Sequence, residues 1–345
     1  MELNVLFSSV GRRVELVKAF REASNELKVK SKLIGVDMDE LAPALNFVDK
    51  KYKVPKLSSE EFIPQIIEIC KKENVAIIIP TLDTELLLYS KNKELIQNEC
   101  GAKVMVSDEN VISTIRNKVN SLFNFDSQQQ SNQLKNKIDT LYGKQNTTTA
   151  PNLKENDFRV PKLIKEKEIL DKEYEFPLFI KPLDGSSSIN NFKINNEKEL
   201  GFFKDYVSNP MIQEFSEGQE YCVDVFCDFK GNVITVVPKI RIAHRGGEIT
   251  KAKVVKDREL IEIGKKLANT LKPCGEINFD CIKTENGVDI IEINGRFAGG
   301  SPISFKSGAN SPKKIYQLLM NEELQYNENF EDGFIALRFD DAVYI

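Results

Sequence analysis

The pattern of hydrophobic and polar residues predicts an alternation of strands and helices over the first 110 positions. Short apolar stretches of strand length alternate there with stretches in which apolar residues recur at helical spacing. The predicted strands cover residues 3–8, 32–37, 75–80 and 103–107, and the predicted helices cover residues 14–23, 62–72 and 85–97. This alternation is typical of an open parallel sheet, so we expect an α/β domain at residues 1–110.

A polar insertion and a flap of small residues are predicted in the middle of the chain. Residues 126–157 are polar and low in complexity, which indicates an insertion outside the core. Strands are predicted at 177–181 and 189–194, and the loop between them contains Gly185, Ser186, Ser187 and Ser188. Backbone N–H groups of such a flap can fold over phosphates, with Lys181 adding a positive charge. An ordinary glycine hairpin is the alternative.

Strands dominate the last third of the chain. They are predicted at residues 211–215, 221–227, 233–242, 276–283, 288–294 and 334–338, with helices at 260–271 and 311–319. Lys239 and Arg241 share one face of their strand because side chains alternate, and this spacing fits a solvated face or a phosphate contact. Residues 244–248 are predicted to form a loop.

Two carboxylates and an amide are predicted to converge on one face of a hairpin. Glu292 and Asn294 repeat at period two, and Asp280 lies opposite Glu292 if a three-residue loop places Thr284 opposite Val288. A two-residue Asn-Gly turn would instead send Asp280 to the other face. Oxygen ligands of this kind suit a hard cation such as Mg²⁺. The alternative is a solvated hairpin with surface acids.

Composition excludes several classes of function. The 345 residues carry a net charge of −4, so neither nucleic acid nor an anionic membrane is expected as a partner. The six cysteines are scattered without CxxC spacing, and His244 is the single histidine, which argues against a zinc site or a histidine-based triad. Free buried thiols in a reducing cytoplasm are expected, and no signal peptide or membrane-spanning run is apparent.

The N-terminal stretch offers a weaker signal for dinucleotide binding. Gly11 could set a helix N-terminus against an anion, and Asp37 ends a strand where a ribose could bind. The GxGxxG fingerprint is missing, however. Thr81 or Asp83 is the expected cap of the next helix, while contact of Asp83 or Glu85 with a substrate stays open.

The order of these motifs resembles the ATP-grasp superfamily, in particular the branch similar to the carbamoyl-phosphate synthetase large chain and biotin carboxylase. The motifs are, in order, Lys118, Lys181 before the flap, Glu214 and Glu220 around a turn, and finally Asp280, Glu292, Asn294 and Arg296. The likeness runs from about residue 1 to residue 312, and residues 126–157 do not match it.

The resemblance implies a nucleotide site. Lys118 and Lys181 would be its two lysines, with Lys181 on the α-phosphate, and the flap would cover the β- and γ-phosphates. Glu220 would bind the ribose. The adenine would lie against a hinge formed by Gln213, Glu214 and Phe215.

The resemblance also implies a metal and phosphate site. Asp280, Glu292 and Asn294 would bind Mg²⁺, with Mn²⁺ as a possible substitute. Arg296 would hold the transferred phosphate, and we expect Lys239 and Arg241 to assist it.

The fold implied is α/β followed by α+β. A Rossmann-like, pre-ATP-grasp domain would span residues 1–110, a small ATP-grasp subdomain residues 111–212, and a large C-terminal subdomain residues 213–345. The expected activity is ATP-dependent ligation of a carboxylate to an amine through an acyl phosphate. A nucleotide sensor without activity, and an oxidoreductase built on the N-terminal sheet, are the alternatives. The expected partners are a small carboxylate, a small amine and, as a possibility, a second copy of the chain. The sequence leaves open whether Arg245 or Glu248 contacts substrate.

Overall fold

Three β-sheets organise the part of the chain that the structure describes. The computed structural model describes residues 2–116, 159–183 and 189–345. Lys118, the polar insertion at 126–157 and the flap residues Gly185, Ser186, Ser187 and Ser188 lie outside these residues, so the predictions made for them stay predictions.

The first sheet is parallel throughout and has five strands in the order β3-β2-β1-β4-β5. Its strands are β1 (Asn4–Ser8), β2 (Leu33–Asp37), β3 (Lys50–Lys53), β4 (Val75–Pro80) and β5 (Lys103–Val104). The predicted open parallel sheet is confirmed. We missed β3 because its sequence KKYK lies at an exposed sheet edge and has no apolar alternation.

Helices follow the strands of this sheet, and the first, second and third of the α-helices were predicted, whereas the fourth was not. They are α1 (Val14–Glu26), α2 (Phe62–Glu73), α3 (Asp83–Cys100) and α4 (Glu109–Arg116), with a short 3₁₀ turn at Pro43–Asn46. Successive strands are added in one direction from β1 to β3 and in the other direction from β4 to β5. The switch point therefore lies between β1 and β4, which are paired neighbours. Ligands of open α/β sheets bind at the carboxyl ends of strands at such a switch point.

The second sheet is small and antiparallel. It contains β6 (Leu178–Pro182), β7 (Phe192–Ile194) and β8 (Pro210–Glu214) in the order β7-β6-β8, with helices α5 (Glu166–Asp171) and α6 (Glu197–Tyr206). The predicted boundary between residues 212 and 213 falls within β8. All five residues of β8 pair with β6, so we place the division after Glu214.

The third sheet is antiparallel, with six strands in the order β13-β12-β9-β10-β11-β14. Its strands are β9 (Gln219–Cys227), β10 (Val233–Arg245), β11 (Glu248–Val254), β12 (Gly275–Thr284), β13 (Gly287–Asn294) and β14 (Ile335–Leu337), and its helices are α7 (Arg258–Leu271), α8 (Ser301–Lys306) and α9 (Ser311–Leu319). The loop predicted at 244–248 is wrong, because β10 continues to Arg245 and β11 starts at Glu248. Gly246 and Gly247 have φ values of 56° and 77°, as a tight two-residue turn requires.

Helix α7 packs against one face of this third sheet, and the polar side chains of the candidate site lie on the opposite face. Its apolar side is buried, and a Cβ at Gly264 would lie 2.6 Å from Val236 Cγ1. Val225 and Val236 face the helix, whereas Asp224 and Val237 alternate to the opposite face. Within the described ranges, no helix is long and apolar enough to span a bilayer.

Candidate functional site

A β-bulge places the two predicted metal ligands opposite one another. Thr284 pairs with Gly287, so the loop has two residues and the predicted three-residue loop is wrong. The register then shifts between Asp280 and Cys281, and Asp280 faces Glu292. The bulge takes up one extra residue on β13 and so restores the predicted pairing, which the turn alone would have lost.

Two asparagine side chains, Asn278 and Asn294, lie on the same face as Asp280 and Glu292, two residues further along each strand. Asn278 pairs with Asn294, and Asn294 Nδ2 donates to Asn278 Oδ1 at 3.4 Å. Asn278 is buried and its Nδ2 also donates to Asp224 Oδ1 at 3.2 Å. Sequence reasoning missed Asn278, although its period-two spacing from Asp280 was a signal for it.

Arg241 lies between two carboxylates on this face. Its Nη1 is 3.7 Å from Asp280 Oδ2, and its Nε is 3.7 Å from Glu220 Oε2. The Nε atom is buried without a hydrogen-bond partner, while Nη2 donates to Gly247 O at 3.0 Å. A buried donor without a hydrogen-bond partner is costly, so an anionic oxygen that accepted from Arg241 Nε would stabilise this arrangement.

The donor set at the hairpin fits a magnesium ion that shares its coordination with phosphate. Burial raises the pKa of Asp280 to about 6, and the facing Glu292 carboxylate adds to this rise while Arg241 opposes it. A cation would relieve the repulsion between these carboxylates. The described residues form no group of three or more metal-binding acidic, histidine or cysteine side chains. Mg²⁺ commonly binds one or two protein carboxylates together with substrate phosphates. Asp280 and Glu292 supply two such carboxylates.

Lys239, predicted as a catalytic residue, is fully buried. Its Nζ bonds the Asp224 carboxylate and donates to Ser304 Oγ at 3.1 Å and to Gly300 O at 3.5 Å. A side chain without exposed surface does not reach a substrate. We therefore assign Lys239 a positioning role that ties β10 to the start of α8.

Glu276 lies at the buried end of the same face, and its burial leads to a prediction about how stability depends on pH. Burial, reinforced by the charge of Asp224, raises the pKa of Glu276 to about 8. Its folded-state pKa exceeds the unfolded value, so its contribution to stability is lost as the pH rises from about 4.5 to about 8. We expect Glu276→Gln to flatten this part of the stability profile, by up to about 1 kcal/mol per pH unit.

Chemical denaturation between pH 5 and pH 9 measures this effect. Glu262→Gln, on the exposed side of α7, is the matched control and should keep the wild-type profile. An unchanged profile in Glu276→Gln would contradict the assignment.

Four of the predicted nucleotide residues, Lys181, Gln213, Glu214 and Phe215, lie on or next to the small sheet, whereas Glu220 lies on β9 of the six-stranded sheet. Lys181 is buried on β6, and Gln213 is buried on β8 beside it. The N–H groups of Glu214 and Phe215 already donate to Lys162 O at 2.9 Å and Pro177 O at 3.3 Å. A base at this hinge would therefore bond other backbone groups than these two donors.

Arg296 reaches the switch point of the N-terminal sheet. Its Nε and Nη2 both donate to Asp83 Oδ2, at 2.9 and 2.6 Å.

Neither Thr81 nor Asp83 caps α3, so that prediction is wrong. The Glu85 carboxylate accepts instead from the backbone N–H groups of Thr81 and Leu82, at 2.6 and 3.0 Å.

The remaining candidates of the N-terminal domain serve internal contacts. Glu85 is buried and accepts hydrogen bonds from Ser8 Oγ and Ser9 Oγ at 2.6 and 2.8 Å. Asp37 Oδ2 accepts from the Gly11 N–H at 2.9 Å, so this carboxylate fixes the loop after β1 rather than lying open for a ribose.

Two residues whose substrate contact the sequence left open lie on the β10–β11 hairpin. Arg245 Nη2 donates to Asp340 Oδ1 at 2.5 Å on the surface. Glu248 lies 3.6 Å from Arg12 Nη2 and 3.3 Å from Arg338 Nη2, next to the switch point.

Family models match the N-terminal and C-terminal parts of the chain. One described as "PylC-like, N-terminal domain" matches residues 5–106. Another, described as "ATP-grasp in the biosynthetic pathway with Ter operon", matches residues 207–341. These matches confirm the resemblance predicted from the ordered motifs.

Curated relatives match part of the chain. The 3-methyl-D-ornithine–L-lysine ligase of Methanosarcina mazei is 30% identical over 152 residues, which are 43% of this chain and 39% of that protein. The D-alanine–D-alanine ligase of Fusobacterium nucleatum is 24% identical over 147 residues, which are 39% of this chain and 50% of that protein. The matches therefore span half or less of either relative.

Solved structures resemble nearly the whole chain. The biotin carboxylase domain dimer of Hydrogenobacter thermophilus 2-oxoglutarate carboxylase, in complex with MgADP, ADP and bicarbonate, gives a TM-score of 0.66 at 16% identity and covers 96% of this chain and 73% of that one. The N5-carboxyaminoimidazole synthetase of Staphylococcus aureus with ADP gives 0.65 at 15% identity, covering 98% and 81%. The L-amino acid ligase of Bacillus licheniformis gives 0.62 at 16% identity, covering 92% and 74%. The predicted fold class is thus confirmed.

Proposed function

We propose that this chain, which belongs to the ATP-grasp superfamily, is an ATP-dependent carboxylate–amine ligase. The observation that carries the proposal is the facing pair Asp280 and Glu292 on one face of the sheet. Arg241 lies on the same face, and its Nε has no hydrogen-bond partner among the described residues. A carboxylate oxygen of the substrate attacks the γ-phosphorus of ATP, and ADP leaves. The amine nitrogen then attacks the carbonyl carbon of the acyl phosphate, and inorganic phosphate leaves with formation of an amide.

Asp280, Glu292 and Asn294 would hold Mg²⁺, and Mn²⁺ has the oxygen preference to replace it. When bound there, the ion would offset the negative charge of the phosphates as the two anions are brought together. Arg241 stabilises oxygens of the transferring group from the side of β10. None of these steps requires a protein nucleophile, which agrees with the single histidine in the sequence.

The nucleotide would lie between the small sheet and the six-stranded sheet. Lys181 stands on the small sheet and the metal ligands on the large one, so phosphates between them would meet positive charge from both sides. We retain Lys118, the flap and the hinge residues as the rest of this site. Glu220 lies near Arg241, where it can contact the ribose or orient the guanidinium.

The relatives indicate the class of substrate. Two of them are named for joining amino acids, and one structural neighbour is named an L-amino acid ligase. We therefore propose that one substrate of this chain is an amino acid. We also propose a cytoplasmic location, and a homodimer like the one named for the biotin carboxylase domain.

A substrate panel tests the proposed function. Purified protein with MgATP should release ADP only when a suitable carboxylate and amine are added, and mass spectrometry should detect the amide. The panel contains amino acids of both configurations, singly and in pairs. A nucleotide sensor would bind MgATP without releasing ADP under any pair. An oxidoreductase would instead change the absorbance of a nicotinamide cofactor.

A further inference from the structure

An excess of positive charge lies where the N-terminal sheet meets the six-stranded sheet. The described residues there include five guanidinium groups and three carboxylates, namely Arg12, Arg13, Arg245, Arg296, Arg338, Asp83, Glu248 and Asp340. Glu248 is shared by Arg12 and Arg338, and Asp83 is occupied by Arg296. This local surplus stands out in a chain whose net charge is −4. A cationic cleft of this kind attracts anions.

Arg13 is the member of this group whose acidic neighbours, Asp83 and Glu248, each pair with another arginine. No described carboxylate oxygen lies within 4 Å of its guanidinium, and its hydrogen bond to Thr81 O is long, at 3.4 Å. Burial and the nearby charge of Arg296 lower the pKa of Arg13 to about 10, and the charges of Glu248 and Asp83 offset only part of this shift. A guanidinium that is partly buried beside another cation destabilises the protein unless an anion joins them.

The backbone around Arg13 points to the same kind of ligand. Arg13 is the N-cap residue of α1, and no side chain caps this helix. A positive charge at a helix N-terminus opposes the helix dipole, whereas an anion there is favourable. A Cβ at Gly299 would lie 3.2 Å from both Arg13 Nη1 and Glu248 Cδ, so glycine keeps the approach to the guanidinium open.

We propose that Arg13 binds the carboxylate of the substrate that is phosphorylated, from the switch point of the N-terminal sheet and together with Arg296. The assignment of the anion as the substrate carboxylate rests on the proposed function. The existence of an anion site at Arg13 does not rest on it. Arg13 donates to Thr81 O and Arg296 to Asp83, two residues further along, so the two guanidinium groups are neighbours. A carboxylate between them would reduce their mutual repulsion. Arg296 follows Asn294 on the chain, so this position adjoins the metal ligands. The N-terminal domain would thus select the substrate, while the other two sheets hold the nucleotide.

Thermal unfolding of the full chain tests this inference without turnover. Melting temperatures are measured in sodium malonate, sodium phosphate and sodium chloride at equal ionic strength. Malonate should raise the Tm of the wild type above its value in chloride by about 2 °C or more, with saturation. Arg13→Gln should abolish the malonate shift and should itself melt at or above the wild-type temperature in chloride, because it removes an unpaired charge.

Two further variants separate binding from structure. Arg13→Lys keeps the charge but loses the fork, so it should weaken the malonate shift and keep the wild-type Tm in chloride. Arg21→Gln removes an arginine of the same helix that pairs with Asp49 at 2.6 Å, and it should keep the malonate shift. The phosphate shift and the Kd for MgADP should stay within about threefold of wild type in Arg13→Gln.

Several results would overturn the inference. The absence of a malonate shift in the wild type would remove the site. A lower Tm of Arg13→Gln with an intact malonate shift would make Arg13 a structural residue. Loss of the phosphate shift or of MgADP binding in Arg13→Gln would place it in the nucleotide site. Failure of the proposed function would appear separately, as no ADP release in the substrate panel.

Discussion

Replacing Arg296 with lysine should lower the rate of ADP release by about a hundredfold or more while the Kd for ATP stays within about tenfold. Two nitrogens of Arg296 donate to the same Asp83 oxygen, so the planar group is already aimed at a single anionic atom. Lysine keeps the charge but loses this fork. The effect should fall on the transition state, where the charge of the phosphoryl group is redistributed.

Nucleotide titration beside steady-state ADP release measures the two effects of Arg296→Lys. Arg258→Lys is the control, because Arg258 pairs with Glu328 on the surface at 2.6 Å. It should leave both quantities near wild type. Loss of ATP binding with no separate rate effect in Arg296→Lys, or no change in either quantity, would show that the assigned role is wrong.

Asp280→Asn should lower the rate of ligation by about a thousandfold, because it removes one of two facing carboxylates from the proposed metal site. The same change should stabilise the metal-free protein at pH 7. The folded-state pKa of Asp280, about 6, exceeds its usual value, so the wild type loses stability as the pH rises from about 4 to about 6. The asparagine variant has no such loss.

Binding of MgADP should also depend on pH through Asp280. Protonation below about pH 6 removes a ligand charge, so the wild-type Kd should rise there, whereas the weaker Kd of Asp280→Asn should vary less with pH. Calorimetric titration between pH 5 and pH 8 measures this. Glu285→Gln, exposed at the turn of the same hairpin, should match the wild type. A variant with wild-type affinity and rate would contradict a metal role for Asp280.

Much of the architecture could be predicted because periodicity reports which faces of an element are buried. The strands at Val75–Pro80 and Ile335–Leu337 and the helix at Ser311–Leu319 lie within a residue of their predicted bounds or on them. The β11 strand was missed because Gly246 and Gly247 suggested a longer loop. A Gly-Gly pair also suits a two-residue hairpin, and local sequence did not distinguish the two.

The facing arrangement of Asp280 and Glu292 was predicted correctly for a reason that was partly wrong. The turn has two residues, and the bulge between Asp280 and Cys281 restores the register that a regular hairpin would have lost. Bulges carry little signal in a single sequence because they change spacing by one residue. The alternation of side chains along the strands therefore predicted which residues share a face, but it did not predict the bulge that brings Asp280 opposite Glu292.

Long-range contacts were beyond sequence reasoning. The pattern put Lys239 and Arg241 on one face, but it did not show that α8 covers Lys239 and leaves Arg241 beside Asp280. Asp83 and Arg296 are 213 positions apart, and only packing of the N-terminal sheet against the six-stranded sheet joins them. The pairing of Asp83 and Glu248 with other arginines, rather than with their neighbour Arg13, is likewise a property of the fold.

Transfer of oxygen from substrate to phosphate tests the central claim most directly. The protein is incubated with MgATP and a mixture of amino acids that carry ¹⁸O in their carboxyl groups, and the released phosphate is analysed by mass spectrometry. Attack of a carboxylate on ATP followed by ligation predicts one ¹⁸O atom in each phosphate released, together with ADP and an amide. Release of unlabelled phosphate while labelled amide accumulates would contradict an acyl phosphate, and so would formation of AMP.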